Sequence, residues 1–589
     1  MKRFCIFLLF SILILLLPTV NAKQGHMKLL AVTDTIDGEK GGIANLYLEI
    51  KPGFGRVFLE TFPLTRVDTQ ISTRFAKEIA CDFADNGCDK FDFFYTITAD
   101  SPIVAGPSAG AAISILTFSL INDVELDEDI AITGTINSGG LIGPVGGLKS
   151  KIEAAEIAGM KKVLIPFGES INGNISIEVN ESINESFDLA RLRKSYRVEI
   201  IEAPTLDDAL FEFTKKRFRE KKANLTISQD YKDTMKILAI QLCSRSTKLR
   251  NKISNLTRDN KTERILDNAI NLSIKGKDYF SENKYYSSAS YCFGANVDFS
   301  HLSLLGMRLT GEDAIEKIKE LRKEIRDFDK IIENEKIKTI TDLESYMIVK
   351  ERLIEGNEFL DIVMESVDNN DTNLRNLAYA IERINSAKSW AKFFENTGKE
   401  FDFNDKVVES ACKTKLSEVE ERLQYVQLYT LQSLENTKKE LSYAYQDLRN
   451  RNFELCLFKA SKAKANVDTV LGVLGVKEDN VVKVLEQKLD IVERNLVEQI
   501  EKEIFPIVGY SYFEYANSLK DSEPFSALLY SEYSLELSNL DIYFESPEIN
   551  KLFRKIDRKL IIALIAGIVL GFVISKFTGN TSRKKSRRK

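Results

Sequence analysis

Ser108, in Gly106-Pro107-Ser108-Ala109-Gly110, and Lys151, in Gly146-Gly147-Leu148-Lys149-Ser150-Lys151, each lie where a glycine-flanked turn runs into a helix-forming stretch. Between them an apolar strand pattern ends in Thr133-Gly134. A hydroxyl and an amine placed in this way can act as nucleophile and general base without histidine. Histidine is scarce: His26 and His301 are the only two, and neither stands in a catalytic context. That inventory argues against a Ser-His-Asp site and against a multi-His metal site. The chemistry to expect is hydrolysis of an acyl bond, a peptide bond above all, with no metal and no cofactor.

A free lysine is a poor base at neutral pH because its pKa is about 10.4. Lowering it to roughly 7–8 means disfavouring the charge by about 4 kcal/mol. Lys151 falls in the first turn of the expected helix, where the positive end of the helix opposes an ammonium. Its neighbours Val145, Leu148, Ile152 and Ala154 are apolar, so desolvation acts in the same direction. Ser108 is likewise near a helix amino-terminus, where backbone N–H groups of the Ser108-Ala109-Gly110 segment can hold an oxyanion. Pro107 has no N–H, which leaves the N–H of Ser108 as the natural donor. Gly106 and Gly110 permit close approach of a substrate backbone. Thr133 can make the hydrogen bond that orients Lys151.

Taken together, the Ser108 motif, Thr133-Gly134 and Gly143-Pro144-Val145-Gly146-Gly147-Leu148-Lys149-Ser150-Lys151-Ile152-Glu153-Ala154-Ala155 closely resemble the proteolytic domain of Lon proteases. Ala158-Gly159 and Val163-Leu164-Ile165-Pro166 continue the likeness. The resemblance implies a serine nucleophile at Ser108, a lysine base at Lys151 rather than Lys149, and a helper threonine at Thr133. It covers the first third of the chain. The chain departs from the family in lacking a Walker motif for an ATP-driven unfolding module. It also has Thr135 and Ala105 where many members carry acidic residues. Family members commonly form hexameric rings, which leaves a homo-oligomer open here.

The elements that must position these residues divide the chain in two. Eight of the 11 prolines lie at or before Pro204, and the next is Pro506. The first part, residues 28–218, alternates short β-rich runs with helices and reads as a compact α+β domain. Residues 43–50 and 56–61 flank Pro52-Gly53-Phe54-Gly55, a hairpin signal. A helix is expected at 70–84, strands at 91–98, 130–133 and 163–166, and a late strand-helix pair at 198–201 and 206–214. The second part, residues 224–546, is rich in Lys, Glu, Leu and Asn and reads as a mostly α-helical domain. Four stretches, from Asn283, Asn373, Asn452 and Ser522, share a polar capping residue, an aromatic or Leu, then small residues at helical spacing. They suggest stacked helical hairpins, or generic amphipathic helices with a common bias.

At the amino end, Lys2 and Arg3 precede an apolar run and Val20-Asn21-Ala22, the pattern of a signal peptide over residues 1–22, or of an uncleaved signal anchor. At the carboxyl end, 560–577 forms an expected transmembrane helix contacting membrane lipid, and 578–589 is a basic tail. The tail fits a topology signal better than a nucleic-acid site, so no nucleic-acid partner is expected. The net charge of −5 adds little. The resulting expectation is a protein of the cytoplasmic membrane with a single carboxyl-terminal span and its main body outside the cytoplasm. Six cysteines beyond Cys5 suit disulfides in an oxidising compartment, with Cys81–Cys88 the best pair; buried free thiols are the alternative. The sequence thus points to an ATP-independent, membrane-anchored serine endopeptidase acting on unfolded or flexible polypeptides. Its competitor is a surface binding or scaffold protein that keeps a protease-like shape.

Overall fold

The computed structural model describes residues 22–544 apart from 36–37, 66, 85–87, 105, 144, 168–188, 220–224, 254–258, 366–370, 395–397, 430–433, 475 and 477. The expected signal at 1–22, but for Ala22, the expected span at 560–577 and the tail at 578–589 lie outside the described residues. Among the described residues no helix is long and apolar enough to cross a membrane.

Strands β1 (Lys23–Thr35) and β2 (Gly38–Pro52) form a long antiparallel pair, from Lys23 opposite Ile50 to Thr35 opposite Gly38. They are followed by β3 (Val57–Thr65), α1 (Val67–Ala84) and β4 (Phe91–Val104). Next come α2 (Gly110–Asn122), β5 (Ile130–Ile132) and the small hairpin of β6 (Thr135–Ile136) and β7 (Ile142–Gly143). The α/β part closes with α3 (Leu148–Ile157), β8 (Lys162–Ile165), α4 (Leu189–Ser195), β9 (Glu199–Glu202) and α5 (Leu206–Thr214).

Seven strands make one sheet in the order β3-β4-β2-β1-β5-β8-β9, with β1, β5, β8 and β9 mutually parallel. Its two faces are sorted by alternation along each strand. Ile130 and Ile132 of β5 and Leu164 of β8 face one core with α1, α2 and α5. Ala131, Val163 and Ile165 face the other, with Leu148, Ile152 and Ala155 of α3. The helix that follows the Ser108 segment and the helix that carries Lys151 therefore cover opposite faces of the sheet, with β5 between them.

Two expectations about this part are corrected. The runs at 43–50 and 56–61 do not pair as a hairpin, because β4 lies between them, antiparallel to β2 and parallel to β3. The Pro52–Arg56 turn is fastened to β4 instead: Asp92 accepts hydrogen bonds from the Phe54 and Arg56 N–H groups and pairs with the Arg56 guanidinium. The α/β part also begins before residue 28, since β1 starts at Lys23.

From residue 229 to 538 the regular structure is helical: α6 (Gln229–Lys252), α7 (Asn260–Ser281), α8 (Tyr285–Met307), α9 (Gly311–Ile332), α10 (Ile340–Glu365) and α11 (Asp371–Trp390). They are followed by α12 (Asp405–Tyr429), α13 (Glu435–Arg449), α14 (Phe453–Val473), α15 (Glu478–Glu501), α16 (Ile507–Leu519) and α17 (Pro524–Ser538). The four similar stretches are α8, α11, α14 and α17, each packed on the helix before it. The polar side-chain caps expected at their starts are not made at α8, α14 or α17. Before α8 and α14 the chain turns instead through a left-handed residue, Asn283 and Arg451, whose neighbours close the preceding helix with backbone bonds.

Two buried carboxyl groups supply caps across the stack. Glu344 of α10 accepts the Val508 N–H of α16 at 2.9 Å, and Glu514 of α16 accepts the Ser287 N–H of α8 at 2.9 Å. Burial pushes both carboxyls up, Glu344 well above the carboxylate range and Glu514 to about 7. The cysteines form three disulfides, Cys81–Cys88, Cys243–Cys292 and Cys412–Cys456; the last two tie α6 to α8 and α12 to α14.

Candidate active site

The Ser108 segment is a tight loop rather than the first turn of a helix. Gly106 has φ +99°, the Gly110 N–H donates to the Pro107 carbonyl at 2.9 Å, and α2 begins only at Gly110. Ser108 and Ala109 are half-buried, so the hydroxyl sits at the rim of the interior. Two α1 hydroxyls hold the loop from behind: Thr69 donates to the Gly106 carbonyl at 3.4 Å and Ser72 to the Pro107 carbonyl at 3.3 Å. Neither was singled out in the sequence, where a Thr and a Ser in the first two turns of a helix carry no mark of this contact.

The structure brings this loop directly onto Thr133-Gly134. The Gly134 N–H donates to the Ser108 carbonyl at 3.0 Å, and the Ala111 N–H donates to the Gly134 carbonyl at 3.0 Å. Thr133 continues the β5–β8 ladder, its N–H bonded to the Leu164 carbonyl at 3.1 Å. Alternation from Ala131 puts Thr133 toward the α3 face. Its hydroxyl oxygen is fully buried and has no hydrogen-bond partner among the described residues. The expected bond from Thr133 to Lys151 is therefore not formed.

Lys151 ends the first turn of α3, its N–H bonded to the carbonyl of Gly147, the left-handed residue that precedes the helix. The side chain is 2% exposed. Lys149, two residues earlier, is exposed, so only one lysine of the pair enters the interior. The start of α3 is pressed onto β2 at Gly41, where a Cβ would lie 1.8 Å from the Ser150 carbonyl oxygen. No larger residue fits there without moving the helix that carries Lys151.

His26 pairs with Asn45 across β1 and β2, and His301 is buried in α8; neither belongs to this site. Among the described residues no group of three or more His, Cys, Asp or Glu could hold a metal ion.

The segment from Gly134 to Gly147, which links Thr133 to Lys151, passes through a tip at 137–141 that leaves the α/β part. Ser138 donates to Glu532 Oε2 at 2.8 Å, and Lys488 Nζ reaches both the Ser138 carbonyl and hydroxyl at 3.0 Å. Lys488 and Glu532 themselves pair at 2.6 Å, both fully buried. Leu141 packs with Ile491, Val492, Leu496 and Leu535. These contacts come from α15 and α17, hundreds of residues downstream, and no local motif announces them.

Residues 90–201 match the family model described as the Lon protease (S16) C-terminal proteolytic domain, a stretch that contains Ser108, Thr133 and Lys151. Among individual proteins, Lon protease 2 of Bacillus subtilis (strain 168) is 45% identical over 64 residues, 11% of this chain and 12% of that protein. The archaeal Lon protease of Thermoplasma volcanium is 36% identical over 107 residues, 18% and 14% of the two chains. The Lon protease of Phenylobacterium zucineum (strain HLK1) is 48% identical over 61 residues, 10% and 8%. This chain thus spans 8–14% of the length of these curated relatives. The helical half lies outside the family match.

Proposed function

We propose that this chain is a serine endopeptidase in which Ser108 is the nucleophile and Lys151 the general base. The observation that carries the reading is Lys151 itself: a lysine held 2% exposed at the head of α3, the helix on the sheet face toward which Thr133 turns beside the Ser108 loop. Burial without solvent disfavours the ammonium, so the neutral amine can take the Ser108 proton as the oxygen attacks a peptide carbonyl. The backbone N–H groups of Ser108 and Ala109 donate to the oxyanion, since that of Gly110 is taken by the Pro107 carbonyl. The Lys151 ammonium then returns its proton to the leaving amine as the C–N bond breaks, leaving an acyl-serine. Water, deprotonated by the same amine, releases the acyl group and restores the hydroxyl.

The absence of a Walker motif supports ATP-independent hydrolysis of segments that are already unfolded or flexible. The apolar run at 560–577 supports anchoring in the cytoplasmic membrane, and three disulfides support a body outside the cytoplasm. Assembly into a homo-oligomer would follow the habit of the family.

The test is cleavage of unfolded casein by the full chain, with and without ATP. Ser108→Ala and Lys151→Met are expected to lower kcat by about a thousandfold or more while keeping the melting temperature. The wild-type rate should be the same without nucleotide. A Ser108→Ala protein that cleaves at the wild-type rate refutes the assignment and leaves the scaffold reading in its place.

A further inference from the structure

The 137–141 tip is held by more than packing. Its only charged contacts among the described residues are Lys488 and Glu532, a fully buried pair that closes on both the backbone and the hydroxyl of Ser138. Gly139, at φ +69°, sits where a Cβ would meet Ile491 at 2.6 Å, so the tip is gripped by α15 with no slack. A buried ion pair is a poor device for stability alone, because apolar residues of the same volume do as well or better. It is a good device for fixing one geometry, since charge and hydrogen-bond direction must both be satisfied.

A second tie runs through α1. Its Thr69 and Ser72 hold the Ser108 loop, while Arg74 pairs with Glu421 of α12 at 3.1 Å and Phe75 lies beneath the Arg422 guanidinium. Both segments that carry the candidate chemistry are thus braced from the helical half.

We propose that the helical half is a working part of the hydrolytic site, with Lys488 and Glu532 acting as positioning residues that fix the 134–147 segment between Thr133 and Lys151. This rests on the function proposed above. It assigns to a region outside the family match a role in aligning base and nucleophile.

The test uses the full chain carrying Lys488→Met with Glu532→Leu, which removes both charges together and leaves neither buried alone. Ser138→Ala, which keeps the ion pair, is the companion should the double variant fail to fold. Three readouts are needed: thermal melting, kcat and KM on unfolded casein, and amide hydrogen exchange over 134–147. The double variant is expected to melt within a few degrees of wild type, to keep KM within about twofold and to lose about tenfold or more in kcat. Exchange over 134–147 should quicken at least about tenfold, with α6–α8 unchanged. Ser138→Ala should move kcat and exchange in the same sense by about threefold or more. Folded variants with wild-type kcat, or with undisturbed exchange, overturn the inference. If wild type and Ser108→Ala cleave alike, the proposed function fails instead, and the exchange measurement still decides whether the pair fixes the segment.

Discussion

At Thr133 a hydroxyl is kept in the interior with no hydrogen-bond partner among the described residues, beside the loop that carries Ser108. An unsatisfied buried hydroxyl costs roughly 1–3 kcal/mol, and native proteins tolerate it where turnover uses the group. Thr133→Val removes the hydroxyl and keeps the shape. It is expected to raise the melting temperature, by about 1 kcal/mol of added stability, while lowering kcat about tenfold or more. A Val variant as fast as wild type would show that the hydroxyl has no part in the reaction. At this scale the sequence was informative, because glycine turns marked both Ser108 and Lys151 and the apolar neighbours of Lys151 foretold its burial. What it could not show was that the Thr133 hydroxyl makes no hydrogen bond to Lys151, since such a bond depends on side-chain geometry that residue type does not set.

Among the elements, α3 matters most, because its start is seated on Gly41 of β2. Gly41→Ala must push the Ser150 carbonyl away or distort β2, and backbone cannot yield as a flexible side chain can. The expected cost is roughly 3 kcal/mol or more, with kcat falling along with stability, measurable by denaturant unfolding and casein cleavage.

The cap that Glu514 gives α8 makes a pH prediction. Burial pushes its carboxyl up to about 7 in the folded chain, against about 4.5 for an ordinary glutamate, so the folded state favours the neutral form. The stability it contributes is complete below about 4.5 and is lost as pH rises through 7, a total of roughly 3 kcal/mol. Melting of Glu514→Gln, which mimics the neutral form, should decline less than wild type between pH 5 and 8; parallel slopes would refute the assignment. Several elements were legible locally: α5 forms over the expected 206–214, and the structure adds its cap, the Thr205 hydroxyl accepting from the Asp208 N–H. β1 was not, because Lys23, Gln24, His26 and Asp34 give it no apolar alternation at its ends. Its strand character comes from pairing along the whole of β2. The false hairpin at Pro52 failed for the related reason that β4, the true neighbour of both strands, comes from more than 25 residues further on.

In the molecule as a whole, composition separated an α/β part from a helical part, but it gave no hint that the two share a buried seam. Lys488 lies in Leu485-Glu486-Gln487-Lys488-Leu489, which reads as an ordinary solvated helix face. Only the docking of α15 and α17 onto the 137–141 tip withdraws it from water. That tip finds its partners 350 and 394 residues later in the chain. A ribosome making this protein would release the entire protease-like portion long before Lys488 and Glu532 were translated. Under the proposed function, the 134–147 segment would stay unbraced until α15 and α17 had been made, so the last helices to be synthesised would complete the site.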